Sequence, residues 1–367
     1  MIDKRNSLII LFLICLCSLS LWGCTRVRTI DKLSLVHVLG FDIGEDKQLI
    51  GTALYPNYTK SKNVDDIQII TEKAVVPNLL YQELNKHTDT PVKLAKLRVL
   101  VLGKKYAESG IDNMVERLII TPEIGTRAQL AISEQSAAHI LKDFSKGDSL
   151  NLIDIIQHNI TRQYLPEIDL HIFLNHYYDE GMDAFLPIIT LDNRKKVRVK
   201  GIGIFKGDKL KLRLNEEKTM IFSVLKDRRV EGSLKMEVEH KDRKGIIIVR
   251  SFKSTQKWSL VDSRQNQTEL NLNLNLDWTV TQYPDWIQLS KEKDKELLRK
   301  LIVGEVKKKV EDLFITLKKN QVDPLGIGNI VRSQSRVWDK NEFYEMYPSF
   351  PINVEVHLEI INAGLNV

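Results

Sequence analysis

An α/β fold of the α+β type, with mixed and largely antiparallel sheets, packed helices and more than one domain, is what this sequence predicts. Three observations carry the prediction. The chain has 367 residues, which exceeds the ~100–200 residues of an ordinary domain. Hydrophobic residues make up 43% and charged residues 28%, the composition of a folded globular protein rather than of a disordered or collagen-like one. Short stretches with an alternation of two are interleaved with stretches of helical spacing. The net charge of +6 is small for this length. It gives no basic face of the kind nucleic acid requires, and it suits a position near an anionic membrane.

The chain opens with an address. Asp3, Lys4 and Arg5 precede an uncharged run from Asn6 to Cys24, apolar from Leu8 to Trp22, the charged and apolar regions of an export signal. Leu21-Trp22-Gly23-Cys24 resembles the lipobox of bacterial lipoproteins, although Trp22 stands where a small or hydroxylated residue is usual. Residues 1–23 are therefore expected to be a lipoprotein signal peptide, cleaved after Gly23, with Cys24 as the lipidation site. The alternative is an uncleaved membrane anchor, since the run is close to the ~20 residues that span a bilayer. Both place the body outside the cytoplasmic membrane and close to it. All three cysteines (Cys15, Cys17, Cys24) fall in this segment. The body is thus without a disulfide framework, a cysteine zinc site or a thiol nucleophile.

Leu33–Phe41 and Gln48–Tyr55 read as strands joined by the polar turn Asp42–Asp46, followed by a third strand at Ile67–Thr71. Ala74–His87 has helical spacing through Leu79, Leu80 and Leu84, with Pro77 in its first turn. Leu97–Leu102 is a continuous apolar run, read as a buried strand. Tyr106–Ile120 reads as one helix, Ala128–Ser133 as a strand, and Ser136–Tyr178 as helical, most clearly over Asn151–Arg162. The basic run Arg194, Lys195, Lys196, Arg198 and Lys200 breaks this pattern. It sets an expected boundary between an N-terminal α/β unit, 24–192, and a C-terminal α/β unit, 193–367, with two subdomains in the latter. Val197–Phe205 and Lys209–Leu214 form a hairpin around Gly207-Asp208, and Asn215-Glu216-Glu217 starts a helix running to Val224. Strands follow at Ser233–Glu239, Gly245–Gln256 and Leu270–Val280. In the last, Leu270, Leu272, Leu274, Leu276 and Trp278 alternate with Asn271, Asn273, Asn275 and Asp277, which gives a buried and a solvated face. Glu292–Lys319 is the longest helix, with the stripe Leu298, Ile302, Val306, Val310, Leu313 and Leu317. Ile352–Ile361 closes the chain as a strand.

No residue set for catalysis, metal or cofactor emerges. Lys146-Gly147-Asp148-Ser149-Leu150 has the letters of an esterase block, yet it follows a helix, and no His has Asp three residues before it. Ser149 reads better as a helix cap. His171 and His176 are five apart, off a common helix face. Gly201, Gly203 and Gly207 lie on a strand and its turn, one residue too long for a dinucleotide fingerprint. The expected catalytic, cofactor and metal residues are accordingly none. Arg194, Lys195, Lys196, Arg198 and Lys200 remain as candidate contacts with anionic lipid or a partner, against the plainer reading of a solvated loop and strand face.

Several segments resemble the C-subunit lipoproteins of spore germinant receptors, the Ger(x)C family. Lys96-Leu97-Arg98-Val99-Leu100-Val101-Leu102-Gly103 is similar to the family's basic-flanked apolar strand ending in Gly, and Thr121-Pro122-Glu123-Ile124 to its Pro-Glu-Ile element. The hairpin Val199–Leu210 followed by Leu214-Asn215-Glu216-Glu217, then Asp323-Pro324-Leu325-Gly326-Ile327-Gly328, Trp338 and Tyr347-Pro348, keep the family's order. Thr25-Arg26 stands where family members commonly carry Trp-Asp. The resemblance implies three α/β domains and a non-enzymatic subunit without cofactor. It also implies a lipid anchor on the outer face of the spore inner membrane, beside a multi-spanning A subunit and a transporter-like B subunit. The rival readings are a solute-binding lipoprotein of a transporter, which would bind a small ligand between two similar lobes, and an envelope hydrolase.

Overall fold

A computed structural model describes residues 33–56, 67–144, 150–161, 165–227, 232–262, 268–336 and 338–363. The expected leader 1–23, Cys24, Thr25-Arg26 and the Ser149 cap lie outside the described residues. Ser34–Val367 forms one compact unit.

In chain order its first half contains β1 (Ser34–Leu35), β2 (Val38–Ile43), β3 (Leu49–Pro56), β4 (Ile67–Ala74), helix α1 (Pro77–Lys86), β5 (Val92–Lys93), β6 (Val99–Gly103), α2 (Lys104–Ser109), α3 (Asp112–Ile119), β7 (Gln129–Ser133), α4 (Ala137–Phe144), α5 (Leu150–Thr161), α6 (Leu170–Tyr178) and β8 (Phe185–Leu191). The hairpin β9 (Val197–Lys206) and β10 (Lys209–Asn215) follows. These strands build an eight-stranded sheet of order β10-β9-β8-β7-β6-β2-β3-β4, with β1 and β5 as a separate parallel pair. The centre, β2, β6, β7 and β8, is parallel, and antiparallel hairpins extend both ends. Parallel strands covered on both faces read as continuous apolar runs, and Val99-Leu100-Val101-Leu102 is such a run, buried throughout. Leu100 and Leu102 join a core with α1, α2 and α3, while Val99 and Val101 face Ile140 and Leu141 of α4 and Leu152 and Ile156 of α5.

One sequence expectation is corrected here, and one strand is added. Tyr106–Ile120 is not one helix but α2 and α3, broken at Gly110, whose φ of +125° an L side chain rarely adopts. Phe185–Leu191, which the spacing leaves unassigned, is the buried strand β8. Pro187 disguises it, and the ladder to β7 begins only at Ile188, so the missing N–H falls outside that pairing. The expected boundary near residue 193 falls in the turn between β8 and β9, which are hydrogen-bonded neighbours, and the sheet continues across it.

Past β10, α7 (Glu216–Lys226) starts on Asn215, whose side chain accepts a hydrogen bond from the Lys218 N–H at 2.9 Å. Every residue from Thr219 to Leu225 is buried, as expected of a helix packed on all sides. It touches β9 and β10 of the large sheet and also β11 (Gly232–His240) and β12 (Arg243–Asp262) of a second one. That sheet, of order β11-β12-β13-β14, adds β13 (Thr268–Gln282) and β14 (Ile352–Ala363). Its first three strands are antiparallel, and β13 and β14 are parallel. The Leu face of β13 is buried as the alternation predicts, each of Leu270, Leu272, Leu274, Leu276 and Trp278 being at most 1% exposed. It shares its core with α8 (Glu292–Lys319), whose predicted stripe is buried and joined by Phe314. Two short helices, α9 (Ile327–Gln334) and α10 (Lys340–Met346), complete the fold.

Candidate functional site

The basic run is divided by the hairpin that carries it. Arg198 and Lys200 lie on β9 and have carboxylate partners: Arg198 pairs with Glu216 at 3.6 Å, and Lys200 with Glu134 at 2.7 Å. Arg213, across the hairpin, shares Glu134 at 3.4 Å. Arg194, Lys195 and Lys196 form the turn itself. The Asp192 carboxylate accepts hydrogen bonds from the Arg194 and Lys196 N–H groups at 2.8 and 2.9 Å, and these bonds, Lys196's first, hold its carboxyl below the ordinary range. Lys195 has a φ of +58°. The backbone of the turn is thus fixed while its three cations point outward, exposed, with no ion pair among the described residues.

A second polar cluster lies at the junction of the two halves. Asp323, fully buried, caps α9: its carboxylate accepts from the Ile327 and Gly328 N–H groups at 2.8 and 2.7 Å, with the Tyr344 hydroxyl at 3.3 Å. Its own N–H donates to Asp183 Oδ2 at 2.7 Å, and the Asp183 N–H returns a bond to the Asp323 carbonyl at 2.9 Å. Lys206 pairs with Asp183 at 3.1 Å and lies 4.5 Å above the Tyr344 ring. Asp179 accepts from the Asn329 amide at 2.8 Å. Burial pushes the Asp323 carboxyl up to about 7 against the pull of its two N–H donors. Burial raises Asp183 too, opposed by Lys206. The Asp-Pro-Leu-Gly-Ile-Gly segment is therefore a helix start clasped to the 179–183 loop. Its Asp, Pro and Gly before an apolar stretch are legible as such a start. Asp183, whose partner is 140 residues away, carries no sequence signal.

The other candidates do not converge. His171 is exposed, with Asn175 at 3.3 Å, while His176 packs against the Phe185 ring, and burial lowers it to about 4. Gly201, Gly203 and Gly207 lie in β9 and its turn, as expected. No group of three His, Cys, Asp or Glu among the described residues is placed to hold a metal ion. A cleft of about 820 Å³ opens between β9, α7, β11 and α8. Its charges are largely paired, Lys309 with Glu217 and Lys235 with Glu237, so its walls present no field of one sign. A neighbouring hollow of about 600 Å³ is lined by Asp154, His158, Arg198 and Glu216.

The chain is similar to known proteins along nearly its whole length. The family model for the N-terminal domain of spore germination proteins matches residues 26–191, and that for the spore germination B3/GerAC-like C-terminal region matches residues 200–364. The chain is 23% identical over 359 residues to the spore germination protein GerQC of Bacillus cereus, covering 97% of this chain and 98% of that one. Its fold matches the crystal structure of the GerBC protein with a TM-score of 0.59 at 18% identity, over 91% of this chain and all of that one. With both halves matched in order along nearly the whole sequence, the chain belongs to the GerAC-like, or Ger(x)C, family of spore germination proteins.

Proposed function

We propose that this chain is a non-enzymatic lipoprotein subunit of a nutrient germinant receptor, needed to trigger spore germination. The observation that carries the reading is the succession of two spore-germination family models over 26–191 and 200–364 on a matching fold. The mature protein would begin at lipidated Cys24 and be held on the outer face of the spore inner membrane. There it would act with the multi-spanning A and B subunits. Among the described residues no helix is long and apolar enough to cross a membrane, and in this reading the lipid is the attachment. Two acyl chains hold where one does not. Docking on the other subunits then needs only modest affinity, because tethering raises the local concentration.

The soluble body acts as a scaffold and not as the nutrient sensor. Deleting the protein should abolish germination through its own receptor and spare other receptors. Calorimetry on the protein should detect no binding of amino acid or nucleoside germinants. Normal germination of the deletion strain with every nutrient would sink the receptor reading. Tight binding of alanine or inosine would instead favour a solute-binding lipoprotein.

A further inference from the structure

We propose that the turn Asp192–Lys196 is a second membrane contact, a tip that binds anionic lipid headgroups and acts together with the lipid on Cys24. The proposal rests on the anchor reading of Cys24. Three observations carry it. The turn is fixed by Asp192, which binds two of its N–H groups. Arg194, Lys195 and Lys196 are exposed and unpaired among the described residues, whereas the neighbouring Arg198, Lys200 and Arg213 are matched to carboxylates. The tip also has no exposed apolar or aromatic residue: Asn193 and the three cations are its exposed surface, and Val197 is buried. Protein interfaces gain most of their affinity from a few buried anchors, chiefly Trp, Tyr and Arg, and of these the tip has Arg194 alone. Attraction to a charged lipid plane needs none.

The strand registers place this tip at the end of the sheet away from Val38. Val38 aligns with Val99 and Val99 with Gln129, at one end of the parallel strands, while Ser133 aligns with Ile189 near the other end. Four residues along β7 and two more to Leu191, where β8 ends, at ~3.3 Å each, put the start of the turn about 20 Å from the Val38 end. The chain enters at the Val38 end, through Ser34. The ten residues from Cys24 to Ser34 can reach at most ~33–36 Å, which exceeds that span. Each cation near such a surface is worth roughly fivefold in binding, so three are worth on the order of 10²-fold, less the offset from Asp192.

The test uses the full, lipidated chain in vesicles. After Cys24 there is no cysteine, so Asn193→Cys places a single environment-sensitive fluorophore in the turn and leaves its cations intact. Vesicles are made of phosphatidylcholine alone or enriched in phosphatidylglycerol, with spin-labelled lipid as quencher. The proposal expects several-fold stronger quenching in the anionic vesicles, relieved by high salt. It also expects the quenching to be lost when Arg194, Lys195 and Lys196 are changed to Glu, or to Gln as the milder set, although these variants still float with the vesicles. Equal quenching in both lipids, or quenching that survives the substitutions, overturns it. A turn that stays unquenched in vesicles but cross-links to a multi-spanning subunit in native membranes also overturns it, in favour of an acidic protein segment. A chain that does not float refutes the anchor alone. Its co-sedimentation with anionic over neutral vesicles, abolished by the same substitutions, then decides the turn.

Discussion

At the scale of single residues, Gly103 shows how a family-like motif is fixed by a distant contact. A Cβ at this position would sit 1.8 Å from Asp42 Oδ1. That carboxylate cannot yield, because it accepts hydrogen bonds from the Ala137 and Ala138 N–H groups at 2.8 Å and so caps α4 from 95 residues away. The glycine is visible in the sequence; its reason is not, since nothing local to Val99–Gly103 points to Asp42. Gly103→Ala should therefore displace the cap and destabilise the protein by about 2–4 kcal/mol, the loss of a cap plus a strained buried carboxylate. An unchanged midpoint in urea would show that Asp42 moves freely. Leu274 and Asn273 are neighbours with opposite fates. Leu274 is fully buried on β13, whereas Asn273 sits on the polar face between Lys257 and Glu355. Leu274→Asp buries an unpaired charge and costs several kcal/mol, while Asn273→Asp stays within ~0.5 kcal/mol. Equal thermal melts for the two would place the strand in the wrong register.

At the scale of elements, legibility follows one-sidedness. The β13 alternation and the α8 stripe were readable because each element buries one face and shows the other to water, which writes the period into the sequence. β8 is buried on both faces and interrupted by Pro187, so it has no period to read. The helices α9 and α10 have eight and seven residues, too few turns for a stripe, and they are held by the Asp323 and Asp339 caps. The α7 start was legible because an Asn followed by two Glu is a local signal. Asn215→Ala should remove the bond to the Lys218 N–H and cost ~1 kcal/mol. The α8 helix offers the opposite change. Gly304 is exposed in mid-helix, and a Cβ there would have nothing within 4 Å. Gly304→Ala should thus raise stability by up to ~1 kcal/mol, read as a higher urea midpoint with an unchanged slope. A lower midpoint would mean that the α8 backbone is not regular at that point.

At the scale of the whole molecule, the two family halves are one hydrogen-bonded body. The large sheet runs past residue 193, α7 packs against both sheets, and the 179–183 loop is bonded to the Asp323 turn. The fold class could be read from pattern, because patterns are local. The junction could not, because its partners are far apart in sequence and each looks like an ordinary surface acid. Its chemistry makes a prediction about pH. The Asp323 carboxyl is raised from an ordinary 3.8 to about 7 by burial, so the folded chain holds this proton more tightly than the unfolded chain does. Stability from this group is therefore full below the unfolded value and is lost as pH rises through the folded one. Asp227, raised to about 6, acts in the same direction, and His176, lowered to about 4, acts in the opposite one. The total slope is thus a mixture, and the Asp323→Asn variant removes the Asp323 contribution together with its coupling to Asp183. Asn keeps an acceptor for the Ile327 N–H and cannot titrate. Between about pH 5 and pH 8, wild-type stability should fall relative to the variant, measured as the difference in urea midpoints at each pH. Parallel curves would mean that Asp323 stays ionised throughout. In that case its three donors, the two backbone N–H groups and the Tyr344 hydroxyl, outweigh the burial, and the junction is held by a permanent charge rather than by a proton.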